Sequence, residues 1–179
     1  MVRIPMQDRG ILLHICCGPC GTASLERLQK LGPVTLFYSN SNIHPAAEYD
    51  QRLVEVRRLA CVCGCELIVD EYSHDAWLKA IAGLEAEPER GARCLRCFEF
   101  SLGRAAELAR KENFSGLTTT LTISPHKRSA DIFAIGERLS DRFLDIDFKK
   151  GDGFRRSVHL AREYGMFRQT YCGCEFSLR

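Results

Sequence analysis

Short runs rich in β-branched, leucine and aromatic residues alternate along this chain with stretches whose apolar residues recur every three or four positions, and that alternation points to an α/β fold. Five runs read as strands: 11–15, 34–38, 67–70, 117–121 and 143–148. Between the first two, Leu25, Leu28 and Leu31 mark one face of a helix that Gly32 can end. Leu53, Val56 and Leu59 repeat the pattern after Pro45, a favoured first-turn residue. A third helix is expected after Cys97, with Phe98, Leu102, Ala105 and Leu108 on one face. A fourth carries Ile132, Ile135 and Leu139, and a fifth spans 155–164. Strand-helix-strand order implies right-handed crossovers, hence a Rossmann-like parallel five-stranded sheet, order 3-2-1-4-5, with helices on both faces. At 179 residues one domain is expected, 1–179, with an excursion at about 72–97 and a C-terminal Cys-X-Cys segment.

Ten cysteines demand an explanation. The early apolar run, 11–15, is broken at once by Cys16 and Cys17, too short for a signal-peptide core or a membrane span. No other uncharged stretch is long enough to cross a bilayer. The expectation is a cytoplasmic protein without a membrane partner. Thiols stay reduced in that compartment, so metal binding or catalysis becomes the leading use of the cysteines. A formal net charge of +2 announces no nucleic acid, and any such partner must be met by a local patch.

Open parallel sheets bind ligands outside the carboxyl ends of their strands, and that rule sorts the thiols. Cys16, Cys17 and Cys20 leave strand one, Cys94 and Cys97 lie in the excursion after strand three, and Cys172 and Cys174 follow strand five and its helix. All seven can reach one edge. Cys61, Cys63 and Cys65 enter strand three from the opposite edge and should be bystanders. The Cys94-X-X-Cys97 spacing suits a metal thiolate, whereas the adjacent pair Cys16 and Cys17 fits two irons of one cluster better than a single ion. Two other classes stay open. Cys17-Gly18-Pro19-Cys20 spells the thioredoxin active-site sequence and would suit a thiol-disulfide oxidoreductase. Four of the cysteines could instead form a structural zinc site in a non-catalytic RNA-binding module, leaving three thiols on the edge without a role.

The strings LLHICCGPC (12–20), NIHPAAEY (42–49), GLEAEPERGARCLRCF (83–98), LTTTLTISPHK (117–127), LDIDFKK (144–150) and RQTYCGCEFS (168–177) together resemble QueH, the cobalamin-independent epoxyqueuosine reductase family, across nearly the whole chain. The resemblance implies the last step of queuosine synthesis, removal of the epoxide oxygen from epoxyqueuosine in a tRNA anticodon. It further implies a 4Fe-4S cluster on Cys16, Cys17, Cys94 and Cys97 and a redox-active pair at Cys172 and Cys174.

Epoxide deoxygenation consumes two electrons and two protons, and an electron donor is needed as a partner. A 4Fe-4S cluster usually passes electrons singly, so a second redox element is needed or the cluster must be recharged. Cys20, Cys172, Cys174 and Asp147 could hold a second iron or a zinc ion facing the substrate. Alternatively Cys172 and Cys174 cycle between dithiol and disulfide. Lys127, Lys149, Lys150, Arg155 and Arg156 follow strands four and five and are candidate phosphate contacts for tRNA. Asn40, Asn42, Tyr72 and Trp77 are candidates for touching an extruded base.

Overall fold

The computed structural model describes residues 9–177. Its sheet holds β1 (Ile11–His14), β2 (Val34–Tyr38), β3 (Glu66–Val69) and β4 (Gly116–Thr119), all parallel, in the order β3-β2-β1-β4. Six helices connect and cover them: α1 (Gly18–Leu28), α2 (Ala46–Cys63), α3 (His74–Ala80), α4 (Ala92–Lys111), α5 (Ser129–Leu139) and α6 (Gly153–Glu163). No helix among the described residues is long and apolar enough to cross a membrane.

β1 is buried along its whole length because both its faces are covered. Leu13 and Ile15 join Leu36 and Tyr38 of β2 in a core with Leu25 and Leu28 of α1 and Val56 and Leu59 of α2. The alternate residues Leu12, Phe37 and Leu117 turn the other way, onto Ala105 and Ala109 of α4. This period-two division lets uninterrupted apolar runs serve two layers at once. α1 and α2 approach closely because Gly18 and Gly21 lack side chains. A Cβ on Gly18 would stand 2.8 Å from Glu55, and one on Gly21 would stand 2.6 Å from Leu59.

The expected fifth strand is replaced by a threonine-tied segment. Only one parallel bridge forms, Leu117 with Phe143. β4 stops at Thr119 and turns into a 3₁₀ helix, Thr120–Ile123, so the neighbouring segment has no ladder to follow. Threonine hydroxyls take over. Thr118 Oγ1 donates to the Leu144 carbonyl (2.9 Å) and Thr122 Oγ1 to that of Ile146 (2.9 Å), while the Phe148 N–H donates to Thr122 Oγ1 (3.3 Å). The alternation of Asp145 and Asp147 with apolar residues imitates a strand without being one.

Some helices also differ from expectation. Leu31 lies beyond α1 and is 67% exposed. α3 was not anticipated. α4 begins at Ala92, six residues before the expected start, which places Cys94 and Cys97 in its opening turns.

The Thr122 hydroxyl is buried and meets three backbone groups. Thr122→Val, which keeps the shape and removes the hydroxyl, should lower the unfolding free energy by about 1–3 kcal/mol in urea titration. A variant as stable as the parent would show that this segment does not depend on threonine for its position.

Candidate active site at the carboxyl edge of the sheet

The chain leaving β1 stays extended for one more residue, with the Ile15 N–H on the Phe37 carbonyl (2.9 Å) and the Asn40 amide on the Ile15 carbonyl (2.9 Å). Beneath this exit lies His14, 1% exposed. One ring nitrogen faces the Ser39 carbonyl at 3.1 Å, which can only accept, so Nε2 carries the proton. Nδ1 then accepts from the Thr119 hydroxyl at 2.9 Å. Burial lowers the imidazole to about 4, and the neutral ring ties the ends of three strands together.

Cys16 comes next. Its N–H donates to Thr120 Oγ1 (3.1 Å), and that hydroxyl donates its own proton to the Cys16 sulfur (3.3 Å). Cys17 caps α1, its sulfur accepting from the Cys20 N–H (3.3 Å) and from the Gln169 amide (2.9 Å). A sulfur there meets free N–H groups and the positive end of the helix dipole, which favour its anion. The sulfurs of Cys16, Cys17 and Cys20 all lie within 4.8 Å of one another, a group that could bind a metal. Cys17 and Cys20 are joined as a disulfide. Disulfide sulfurs have no negative charge to offer, so metal binding requires this pair reduced.

α4 presents Cys94 and Cys97, one helical turn apart and hence on one face. The Cys94 sulfur accepts from the Arg90 N–H (3.3 Å). Cys97 packs against Trp77, Ile81 and Cys174, and burial pushes its thiol up to about 12, partly opposed by the indole of Trp77, which favours the thiolate. Trp77 is fully buried and its N–H meets no oxygen or nitrogen acceptor among the described residues. Phe98, the next residue of α4, shares a hydrophobic cluster with Cys16, so the two cysteine-bearing elements border the same core.

The C-terminal segment completes the edge because a buried arginine holds it. Arg52 of α2, 2% exposed, pairs with Glu48 and donates to the carbonyls of Tyr171 and Cys172 at 3.1 Å each. The His44 N–H takes the Gly173 carbonyl (2.8 Å). Gly173 has φ of 107°, in the region glycine tolerates, and a Cβ there would stand 2.8 Å from Ile43. Cys172 is exposed and Cys174 buried. The Cys174 thiol donates to Cys172, Ser177 adds a second hydrogen bond (3.1 Å), and Lys127 adds positive charge, so Cys172 is lowered to about 5. Cys174, which keeps its proton for that bond, is raised.

Other expected site residues sit differently. Asp147 shares no sub-5 Å ligand group with Cys20, Cys172 or Cys174 among the described residues, and its carboxylate is bound to Lys149 (3.4 Å). The Lys149 ammonium is spent on the carbonyls of Thr122 and Lys127 and on the Ser129 hydroxyl. Lys150 is exposed. Arg155 pairs with Asp152 and Arg156 with Glu26. Asn40 is used on the Ile15 carbonyl and the Tyr72 hydroxyl on the Ile43 carbonyl (2.8 Å). Cys61, Cys63 and Cys65 lie where α2 ends and β3 begins, at the amino edge. One cluster escaped the sequence reading. His74 bonds the Ser41 carbonyl and Glu175 Oε1, both at 2.8 Å, with the His44 ring stacked at 5.0 Å. The only hint in sequence was Glu175 following Cys174.

Comparison with known proteins shows the family and the fold. The profile of the family described as epoxyqueuosine reductase QueH matches residues 11–179. The epoxyqueuosine reductase QueH of Streptococcus pyogenes is 36% identical over 94% of this chain and 70% of its own length. That of Haemophilus influenzae is 34% identical over 99% and 75%, and that of Thermotoga maritima 34% identical over 94% and 90%. A solved structure titled as a predicted subunit of tRNA methyltransferase from Methanocaldococcus jannaschii superposes with a TM-score of 0.55 at 18% identity, covering 86% of this chain and 75% of that one, and shows a shared fold.

A lowered pKa means that Cys172 becomes thiolate, the nucleophilic form, at lower pH than an ordinary thiol. Cys63 and Cys65, raised by burial, should behave oppositely. In the metal-free, reduced protein, iodoacetamide should label Cys172 readily at pH 6.5 while sparing Cys63 and Cys65. Peptide mapping across pH 5–10 reads this out, and labelling of Cys172 that rises only above pH 8 would remove the thiolate assignment.

Proposed function

Because the chain belongs to the epoxyqueuosine reductase QueH family, we propose that it removes the epoxide oxygen of epoxyqueuosine in a tRNA anticodon, the last step of queuosine biosynthesis, using iron held at the carboxyl edge of its sheet. The observation that carries this reading is the approach of three cysteine-bearing segments, the β1–α1 loop, the start of α4 and the C-terminal tail, to a single edge. Its products are the cyclopentene and water, formed with two electrons from a separate low-potential donor and two protons. The thiols argue for a reducing, cytoplasmic setting.

Cys16, Cys17, Cys94 and Cys97 would hold a 4Fe-4S cluster. Two features fit a sulfur-rich group there: the thiolate-favouring position of Cys17 at the α1 terminus and the buried Trp77 N–H that has no oxygen or nitrogen partner among the described residues. When bound, such a cluster would supply electrons, and Lewis acidity toward the leaving oxygen would have to come from a second metal with an open position. The chain itself does the rest. Thr120 orients the Cys16 sulfur and Gln169 that of Cys17. Arg52 and the His44 N–H hold the tail so that Cys172 faces outward with Cys174 behind it. Cys172 and Cys174 act on the substrate side, as a dithiol that becomes a disulfide or, once Cys20 is reduced, as ligands with it of a second iron or zinc. Lys127 places positive charge beside Cys172 and, with the exposed Lys150, is available to RNA phosphate.

One observation favours a second reading. The Cys17–Cys20 disulfide at a helix N-terminus is the arrangement of a thiol-disulfide oxidoreductase. Iron analysis distinguishes them. After anaerobic purification, Cys94→Ala or Cys97→Ala should lose most iron and sulfide, whereas the triple change Cys61→Ala, Cys63→Ala and Cys65→Ala should keep both, together with activity. Iron-free protein that exchanges disulfides would favour the second reading.

Remote contacts to the anticodon arm can contribute transition-state binding that a free nucleoside lacks. With an artificial low-potential reductant, epoxyqueuosine in tRNA should therefore turn over much faster than the nucleoside, and added salt should slow the tRNA reaction steeply. Equal, salt-independent rates would sink the RNA half of the proposal.

A further inference from the structure

Arg155 and Arg156 are already held by carboxylates of the same surface, and α6, which carries them, leads on to the cysteine edge. Arg156, in its first turn, forms a two-pronged pair with Glu26, at 3.1 and 2.8 Å. Glu26 lies nine positions after Cys17, about 13 Å along the α1 axis. Gln169, just beyond the other end of α6, donates to the Cys17 sulfur at 2.9 Å. α6 and the segment that follows it thus run back along α1, and it is this trailing end that arrives at the cysteines.

Two arginines stand at that arriving end. Arg162 closes α6 and Arg168 directly precedes Gln169, so a single Cα–Cα step of about 3.8 Å separates Arg168 from the residue on Cys17. Both are exposed, and neither has a carboxylate partner among the described residues, whereas Arg155 and Arg156 each have one. Arg168 lies over the Phe154 ring, 5.7 Å from its centroid, which limits its orientations. Burial and then the like charge of Arg162 lower its guanidinium, as expected of two adjacent cations without an anion between them. Phe167, the neighbouring residue, leaves its ring 36% exposed. Unpaired guanidiniums beside an exposed ring form the combination that single-stranded RNA requires, charge for the backbone and a flat face for a base.

We propose that Arg162 and Arg168 clamp a backbone phosphate of the anticodon loop at the cysteine end of α1, while Phe167 stacks on a base next to the modified one. This rests on the RNA-substrate reading above and names the residues that make the contact. Arg155 and Arg156, each already neutralised by a carboxylate, stay outside the contact.

The test is binding of a synthetic anticodon stem-loop by the iron-loaded protein, followed by fluorescence anisotropy from 50 to 300 mM KCl. Arg162→Ala and Arg168→Ala should each weaken binding about five- to tenfold at 100 mM salt and reduce the slope of log affinity against log salt by about 0.7. Arg168→Lys should retain the slope. Phe167→Ala should weaken binding with the slope intact, because stacking releases no counterions. Arg155→Ala should match the parent within about twofold. All the altered side chains lie on the surface, and thermal melts identical to the parent would confirm folding. If the parent binds the stem-loop with a steep salt slope and the Arg162 and Arg168 variants bind as well and as steeply, the clamp is wrong and the RNA reading survives. A parent that does not bind the stem-loop overturns both.

Discussion

All four strands run the same way, so each delivers its following loop to one edge of the sheet. The cysteine-rich site depends on that common direction. It also creates a difficulty, because the central strand β1 ends in a buried place where backbone groups have no water to turn to. His14 resolves it as a neutral ring that spans from the Thr119 hydroxyl to the Ser39 carbonyl. Ser39 in turn gives its hydroxyl to Asp70, which Arg104 neutralises from α4. One polar chain therefore links the ends of all four strands to the helix that bears Cys94 and Cys97.

Much of this was legible in sequence. β2 keeps its expected bounds because Gly32 and Pro33 precede a β-rich run and Ser39 and Asn40 follow it. The sorting of cysteines by edge needed only strand direction, and the structure keeps Cys61, Cys63 and Cys65 at the amino edge. The failures share a cause. The segment 143–148 has a strand's alternation, yet what it binds is a set of hydroxyls on a neighbouring element, and no local pattern reveals that. Arg156 looks like a free cation until Glu26, 130 positions away, is found beside it. Gln169, which reaches the Cys17 sulfur, is an ordinary polar residue in sequence. Function came through because motifs of chemically special residues resist disguise, whereas pairings between distant ordinary residues leave no trace.

The two groups of sulfurs differ in electrostatic setting in a way that suits a division of labour. Cys97 is held among Trp77, Ile81 and Phe100, where a free thiolate is costly and a metal-bound one would be neutralised. Cys172 is exposed, supported by a thiol, a hydroxyl and a lysine. One setting favours permanent ligation and the other favours encounter with a substrate.

The fastening of the tail has a thermodynamic corollary. The Cys172 carbonyl is held by Arg52, that of Gly173 by the His44 N–H and that of Cys174 by the Ser177 N–H. Freezing a flexible residue costs about 1–2 kcal/mol of conformational entropy, and here folding has already met that cost for the segment between the two sulfurs. An ion or electrophile that needs both thiols meets a preformed chelate with a high effective concentration, instead of a wandering chain end.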